Sequence, residues 1–287
     1  MQCRVVALVG LLTGVVALLA PGGGSALADT ALQAAGASEV KNVSVRMPQT
    51  ADQQPLQVII ALHGMGGNGP DFAAPLAGMA DQNRWIVVAP TINYGDWTDP
   101  RQIQREEPAL VAWLSDYVAH LAEQTGTQVQ PRVLLFGHSR GAQLALRFTE
   151  LHPEQVTAVA ALSAGTYTLP MALDSHGAEM DFPYGVADVA RADGGVPFDA
   201  HEFVDVPVWI GVGANDNNAG DVPHAWDAYI GQNRVQRAQT FVKALQILGS
   251  DVSLTVFPGA QHGLTDEMRN SALAALAQRE DARAGTD

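Results

Sequence analysis

Four short stretches of the chain carry residue types that can cooperate in chemistry. Gly137-His138-Ser139-Arg140-Gly141 fits the pattern G-x-S-x-G, in which a serine occupies a tight strand-to-helix turn and the glycines relieve crowding there. A serine hydroxyl is a poor nucleophile at neutral pH and needs a positioned base, normally a histidine held by a carboxylate. Asp216, at the end of Gly213-Ala214-Asn215-Asp216, and His262, in Pro258-Gly259-Ala260-Gln261-His262-Gly263, supply those two types. The fourth stretch, His63-Gly64-Met65-Gly66-Gly67, is a glycine-rich bend whose backbone N–H groups can turn toward a developing oxyanion. The expected donors are the N–H of Met65 and the N–H of Arg140, the residue after the serine. The chemistry such a set performs is acyl transfer.

The bare five-residue pattern is common in a chain with 28 glycines, so its flanks decide its meaning. It follows the apolar run Arg132–Phe136 and leads into Ala142-Gln143-Leu144-Ala145-Leu146-Arg147-Phe148, a good helix former, as the turn requires. Other short apolar runs read as strands at Val43–Met47, Gln57–Leu62, Trp85–Ala89, Ala158–Leu162, Val208–Val212 and Ser253–Phe257. Most are continuous Val, Ile and Leu, as expected of strands covered on both faces. Between them, Leu110, Trp113, Leu114, Tyr117, Val118 and Leu121 recur at the spacing of one helical face, as do Phe241, Ala244, Leu245 and Leu248 before Gly249. A last helix is expected from Thr265 as N-cap, with Asp266 and Glu267 complementing its dipole. This alternation predicts an α/β fold around a mostly parallel sheet. The bend, the serine, the aspartate and the histidine each follow a strand, which puts all four at one edge of that sheet.

Each site residue has a rival. Asp221 is the nearest alternative acid, Asp205 stands too early in its strand, and His224 is an alternative base lying in the acid loop instead of after the last strand. His63 reads as a residue that fixes its bend. Tyr94, Trp97, Tyr167, Tyr184 and Trp226 fall near strand ends, where aromatic rings either line a pocket or cap the core. Asp216-Asn217-Asn218-Ala219-Gly220-Asp221 resembles a calcium loop only faintly, because Gly220 and Asp221 occupy positions that need a ligand and a glycine. No zinc or phosphate-loop pattern occurs, and no cofactor is expected.

Composition narrows the class. The formal charge of −14 removes the basic footprint that nucleic-acid binding needs. The opening Met1-Gln2-Cys3-Arg4, the apolar run Val5–Ala20 and the small-residue site Ala26-Leu27-Ala28 read as a secretory signal peptide over residues 1–28, too short in its apolar part for a comfortable membrane span. Cleavage would leave Asp29 first, remove the only cysteine, Cys3, and leave 15 Lys+Arg against 30 Asp+Glu. Thiol catalysis and cysteine-ligated metal are thereby excluded, and no stable membrane insertion is expected. Residues 29–287 are long enough for one large α/β domain. Within it, 166–203 carries many Gly, Asp and Pro residues without a sustained period and reads as a lid or a wall of the site.

On the bend, the serine turn, the acid loop and the histidine loop, spread from His63 to His262, the chain resembles the α/β-hydrolase superfamily, and within it the secreted bacterial esterases, lipases and polyester depolymerases. The resemblance implies an eight-stranded, mostly parallel sheet with helices on both faces and a loop-rich insertion after the sixth strand. It also implies the chain order Ser139, Asp216, His262 for a triad that hydrolyses carboxylic esters through an acyl-enzyme. Arg140 departs from the smaller or apolar residue frequent in relatives. Two other readings stay open on the residues alone, a serine peptidase of the same fold and a non-catalytic binding protein built on it.

Overall fold

The computed structural model describes residues 38–49, 54–192 and 194–284; the expected leader, residues 1–28, lies outside them. Seven strands form one sheet: β1 (Glu39–Arg46), β2 (Leu56–Leu62), β3 (Ile86–Asn93), β4 (Val129–His138), β5 (Val156–Leu162), β6 (Val208–Gly213) and β7 (Val252–Phe257), in the order β1-β3-β2-β4-β5-β6-β7. Every neighbouring pair from β3 through β7 is parallel, and only β1 runs antiparallel, against β3. The seven expected strands all form. The eighth strand implied by the resemblance is not found among the described residues, where β1 is itself the edge. For the same reason the loop-rich insertion follows the fifth strand of seven and not the sixth.

The four longest helices are α1 (Pro100–Ala119), α2 (Arg140–Leu151), α3 (Arg234–Leu248) and α4 (Asp266–Ala284). Strand residues alternate between two apolar layers, as a period of two on a doubly covered sheet demands. Val58, Ile60 and Leu62 of β2 share one apolar layer with Leu110, Leu114, Phe148 and Phe241. Ile59 and Ala61 share the other with Leu134, Phe136, Met268, Leu273 and Leu276. Helices α1, α2 and α3 thus cover one side and α4 the other. The α4 start matches expectation, with the Met268 N–H donating to Thr265 Oγ1 at 3.2 Å.

The segment 166–203 leaves the sheet but not the core. It buries Tyr167, Leu169, Met180, Phe182, Val189 and Phe203, and it forms short helices at Val189–Ala192 and Ala200–Val204. Arg147 of α2 donates to Thr166 Oγ1 at 2.8 Å and Thr168 Oγ1 at 3.1 Å, pinning the start of the segment to the helix that follows the serine. No described helix is long and apolar enough to cross a membrane.

Candidate active site

Two glycines explain why a strand can turn into a helix at Ser139. A Cβ on Gly141 would sit 2.0 Å from the Leu62 carbonyl oxygen, and one on Gly137 would sit 2.6 Å from the Gly141 carbonyl oxygen. The turn is therefore closed by backbone contacts that no larger residue permits. Between the glycines, Ser139 takes φ 55° and ψ −116°, a left-handed conformation that costs a non-glycine residue about 1–3 kcal/mol and persists only where its surroundings enforce it. Its N–H donates to the Leu162 carbonyl of β5 at 2.8 Å. The side chain is thus held at the carboxyl edge of the sheet, half-exposed.

The acid and histidine loops reach the same edge because each is stitched to the other. The Ala214 N–H donates to the Phe257 carbonyl at 2.8 Å and the Asn215 N–H to the Ala260 carbonyl at 2.9 Å. Together the loops complete a hydrogen-bonded row. His262 Nε2 lies 3.0 Å from Ser139 Oγ, and His262 Nδ1 lies 2.9 Å from Asp216 Oδ2. With Asp216 ionised, the proton on His262 belongs to Nδ1, leaving Nε2 as acceptor for the serine hydroxyl. Burial alone would raise the Asp216 carboxyl, but the His262 hydrogen bond and the Arg234 charge outweigh it and hold the group below the usual carboxylate range.

The rivals are engaged elsewhere. His224 is mostly exposed and pairs with Asp227 at 2.8 Å. The Asp221 carboxylate accepts from Asn218 Nδ2 at 3.1 Å, and Asp205 caps the short helix before β6.

Of the two expected oxyanion donors, Arg140 directly follows the serine, and Met65 follows Gly64, the bend residue that lies against it. Arg140 is the first residue of α2, where an amide N–H has no partner within the helix. In the bend, the Ile92 N–H donates to His63 Nε2 at 3.0 Å, so the proton of this buried ring is on Nδ1, which donates to the Gly64 carbonyl at 2.6 Å. Gly67 N–H donates to that same carbonyl at 3.2 Å. Because a trans peptide points its C=O and N–H opposite ways, the Met65 N–H is turned away from His63. Gly64 itself lies against the serine, a Cβ there falling 3.2 Å from Ser139 Cβ.

Three features were missed by reading the chain alone. His138, whose ring donates from Nε2 to the His262 carbonyl at 2.9 Å, fastens the histidine loop; its enclosure pushes its pKa down to about 4, against the opposing pull of that hydrogen bond. Beneath the serine turn, the buried Arg140 guanidinium binds Glu107 and Glu106, and Arg147 shares Glu107. Third, Arg234 donates to Asp216 Oδ1 at 2.9 Å. Two of them carried a faint signal, since Glu107 falls on the apolar stripe of Ile103, Leu110 and Leu114, and Arg234 and Arg237 on that of Phe241 and Leu245. Of the aromatic candidates, Tyr94, Tyr167 and Trp226 are core residues, Tyr184 stacks on Tyr229, and Trp97 is half-buried against Gly165.

A model of the Esterase family matches residues 37–263, which span the sheet, the serine turn and both loops. The chain belongs to the Esterase family. No curated protein matches the sequence. Among solved structures the chain is similar to poly(aspartic acid) hydrolase-1 from Sphingomonas sp. KT-1, with 20% identity and a TM-score of 0.58 over 83% of this chain and 91% of that one. It is also similar to a poly(3-hydroxybutyrate) depolymerase from Bordetella parapertussis, with 22% identity and a TM-score of 0.57 over 84% and 85%. A phospholipase/carboxylesterase from Dyadobacter fermentans follows at 21% and 0.54 over 82% and 96%. At these identities the likeness establishes the α/β-hydrolase fold, and the family establishes an esterase-type hydrolase.

Proposed function

We propose that this esterase is an exported serine hydrolase that cleaves carboxylic esters through an acyl-enzyme on Ser139. The observation that carries the reading is the unbroken row from Ser139 Oγ through His262 to Asp216, with both contacts at hydrogen-bond length. In the first step Ser139 Oγ bonds to the ester carbonyl carbon while its proton passes to His262 Nε2. Asp216 keeps the ring oriented and stabilises the cation that forms. The Met65 and Arg140 N–H groups receive the oxyanion, an interaction worth about 3–4 kcal/mol per donor in enzymes of this kind. Collapse breaks the bond to the alcohol oxygen, which takes the proton from His262. Water, deprotonated by the same ring, then attacks the acyl-serine and regenerates the hydroxyl.

Ser139→Ala is expected to lower kcat toward a short p-nitrophenyl ester by at least about 10⁴-fold. A fluorophosphonate probe should label the parent protein and not the variant. Substantial activity in Ser139→Ala would sink the assignment, and absence of labelling would favour a binding protein. Export rests on residues 1–28 of the sequence. Sequencing the amino terminus of protein recovered outside the cytoplasm should give Asp29 first.

A further inference from the structure

Resting on that reading, we propose that Arg234 is a positioning residue for the reaction, fixing the Asp216 carboxylate so that only one of its oxygens is free to serve His262. Arg234 is the first residue of α3 and is almost wholly buried, its side chain 5% exposed against 1% for Asp216. Its guanidinium makes two separate attachments to the acid loop. One nitrogen donates to Asp216 Oδ1 at 2.9 Å and the other to the Asp221 carbonyl at 2.8 Å. Asp216 Oδ2 is left to His262 Nδ1 at 2.9 Å. The carboxylate is thus held at both oxygens, and the loop that carries it is clamped five residues further on. The planar fork of the guanidinium presents separate N–H groups to those two acceptors at once.

The charges around the pair leave this role to Arg234. Its neighbour on the same helical face, Arg237, is committed to Asp227 at 2.8 Å and to the carbonyls of Gly165, Pro223 and Gly231. Facing the site from other elements are His138, Tyr167 and the Trp97 ring, over which the Arg234 guanidinium lies at 5.9 Å. His138 is neutral above about pH 4, and burial raises the Tyr167 phenol, so neither supplies charge at neutral pH. Arg234 is therefore the fixed cation in contact with Asp216. A positive charge there disfavours protonation of the Asp216 carboxylate.

The test compares Arg234→Met and Arg234→Lys with the parent protein on a short p-nitrophenyl ester. Rates are followed across pH, and Tm is recorded for each. In Arg234→Met, kcat is expected to fall about tenfold or more with KM changed less than about threefold, because orientation of the base acts in the transition state. The acid limb of kcat/KM should move to higher pH by about one unit once the cation is gone. Arg234→Lys should keep the acid limb near its original position while recovering only part of kcat, since an ammonium supplies the charge but not the fork. An acid limb unmoved in a folded Arg234→Met, even with kcat and Tm reduced, would overturn the proposal and leave the arginine a purely structural clamp. If Arg234→Met does not fold, Arg234→Lys decides alone, and full parental kcat in it would overturn the two-point attachment. Failure of the serine reading is separate, because it appears in the parent protein as absent fluorophosphonate labelling.

Discussion

Ser139, His262 and Asp216 meet only because small neighbours and polar tethers hold them, and the tethers predict how the site responds to acid. His138 is kept neutral by its enclosure, with a pKa of about 4 in the folded protein against 6.5 when free. Between those values the unfolded chain binds the extra proton first, so stability must fall as the pH drops from about 6.5 to about 4. Burial also lowers the buried His63, which adds to the loss with the same sign. Asp216 acts further down, its contribution being lost as pH falls through its depressed folded pKa. His138→Gln retains an N–H donor for the His262 carbonyl while removing one titration. Its Tm should decline less steeply than the parent's over that window, with neutral-pH activity within a few fold. Parallel Tm curves for the two proteins would count against this account.

Helix α2 is the element on which the serine depends, and it is anchored by charge as well as by apolar contact. The buried cations Arg140 and Arg147 share the Glu107 carboxylate across to α1, and their charges hold that group low although burial alone would raise it. Removing one partner of such a pair strands the other charge away from water. Glu107→Gln should therefore cost about 3–5 kcal/mol and lower activity with it, measured by denaturant unfolding. Glu150, also on α2, behaves in the opposite sense. Burial raises its pKa well above 4.5, and one of its oxygens has no hydrogen-bond partner. A raised carboxyl stabilises the fold below 4.5 and loses that contribution as pH rises, because the unfolded chain then ionises while the folded one does not. Glu150→Gln should match the parent near pH 4 and exceed its Tm at pH 7. A lower Tm at pH 7 would mean the carboxylate is ionised and needed. Glu106 and Glu107 stand close to Leu110 in the sequence, but their partners lie on another helix, and no local spacing points to them.

Over the whole molecule, stability rests on two apolar layers packed against one sheet. The chain holds a single cysteine, Cys3, so no intrachain disulfide can form. Thermal unfolding should give the same Tm with and without a thiol reductant, and a reductant-dependent shift would contradict a fold held by its core alone. The segment 166–203 reads from composition as a loose excursion, and in composition it is one. Tyr167, Leu169, Met180 and Phe182 nevertheless enter the core, and Arg147 ties its start to α2. Aromatic candidates sorted the same way, since burial at a strand end depends on what packs above it and the spacing of residues carries no such information.

By itself the sequence determined the seven strands and their alternation with helices, because apolar period and glycine turns are local properties, while the order of serine, acid and histidine followed from the family resemblance. The identity of Asp216 as the acid within reach of His262 was favoured locally over Asp221, but distance decided it, at 2.9 Å across loops joined by backbone hydrogen bonds. Only the tertiary structure disclosed the groups that act through another residue. Arg234 on Asp216, His138 on the His262 carbonyl and Glu107 on Arg140 join positions 18, 124 and 33 residues apart. A buried charge or ring reveals its purpose only through the partner that compensates it, and folding, not spacing, selects that partner.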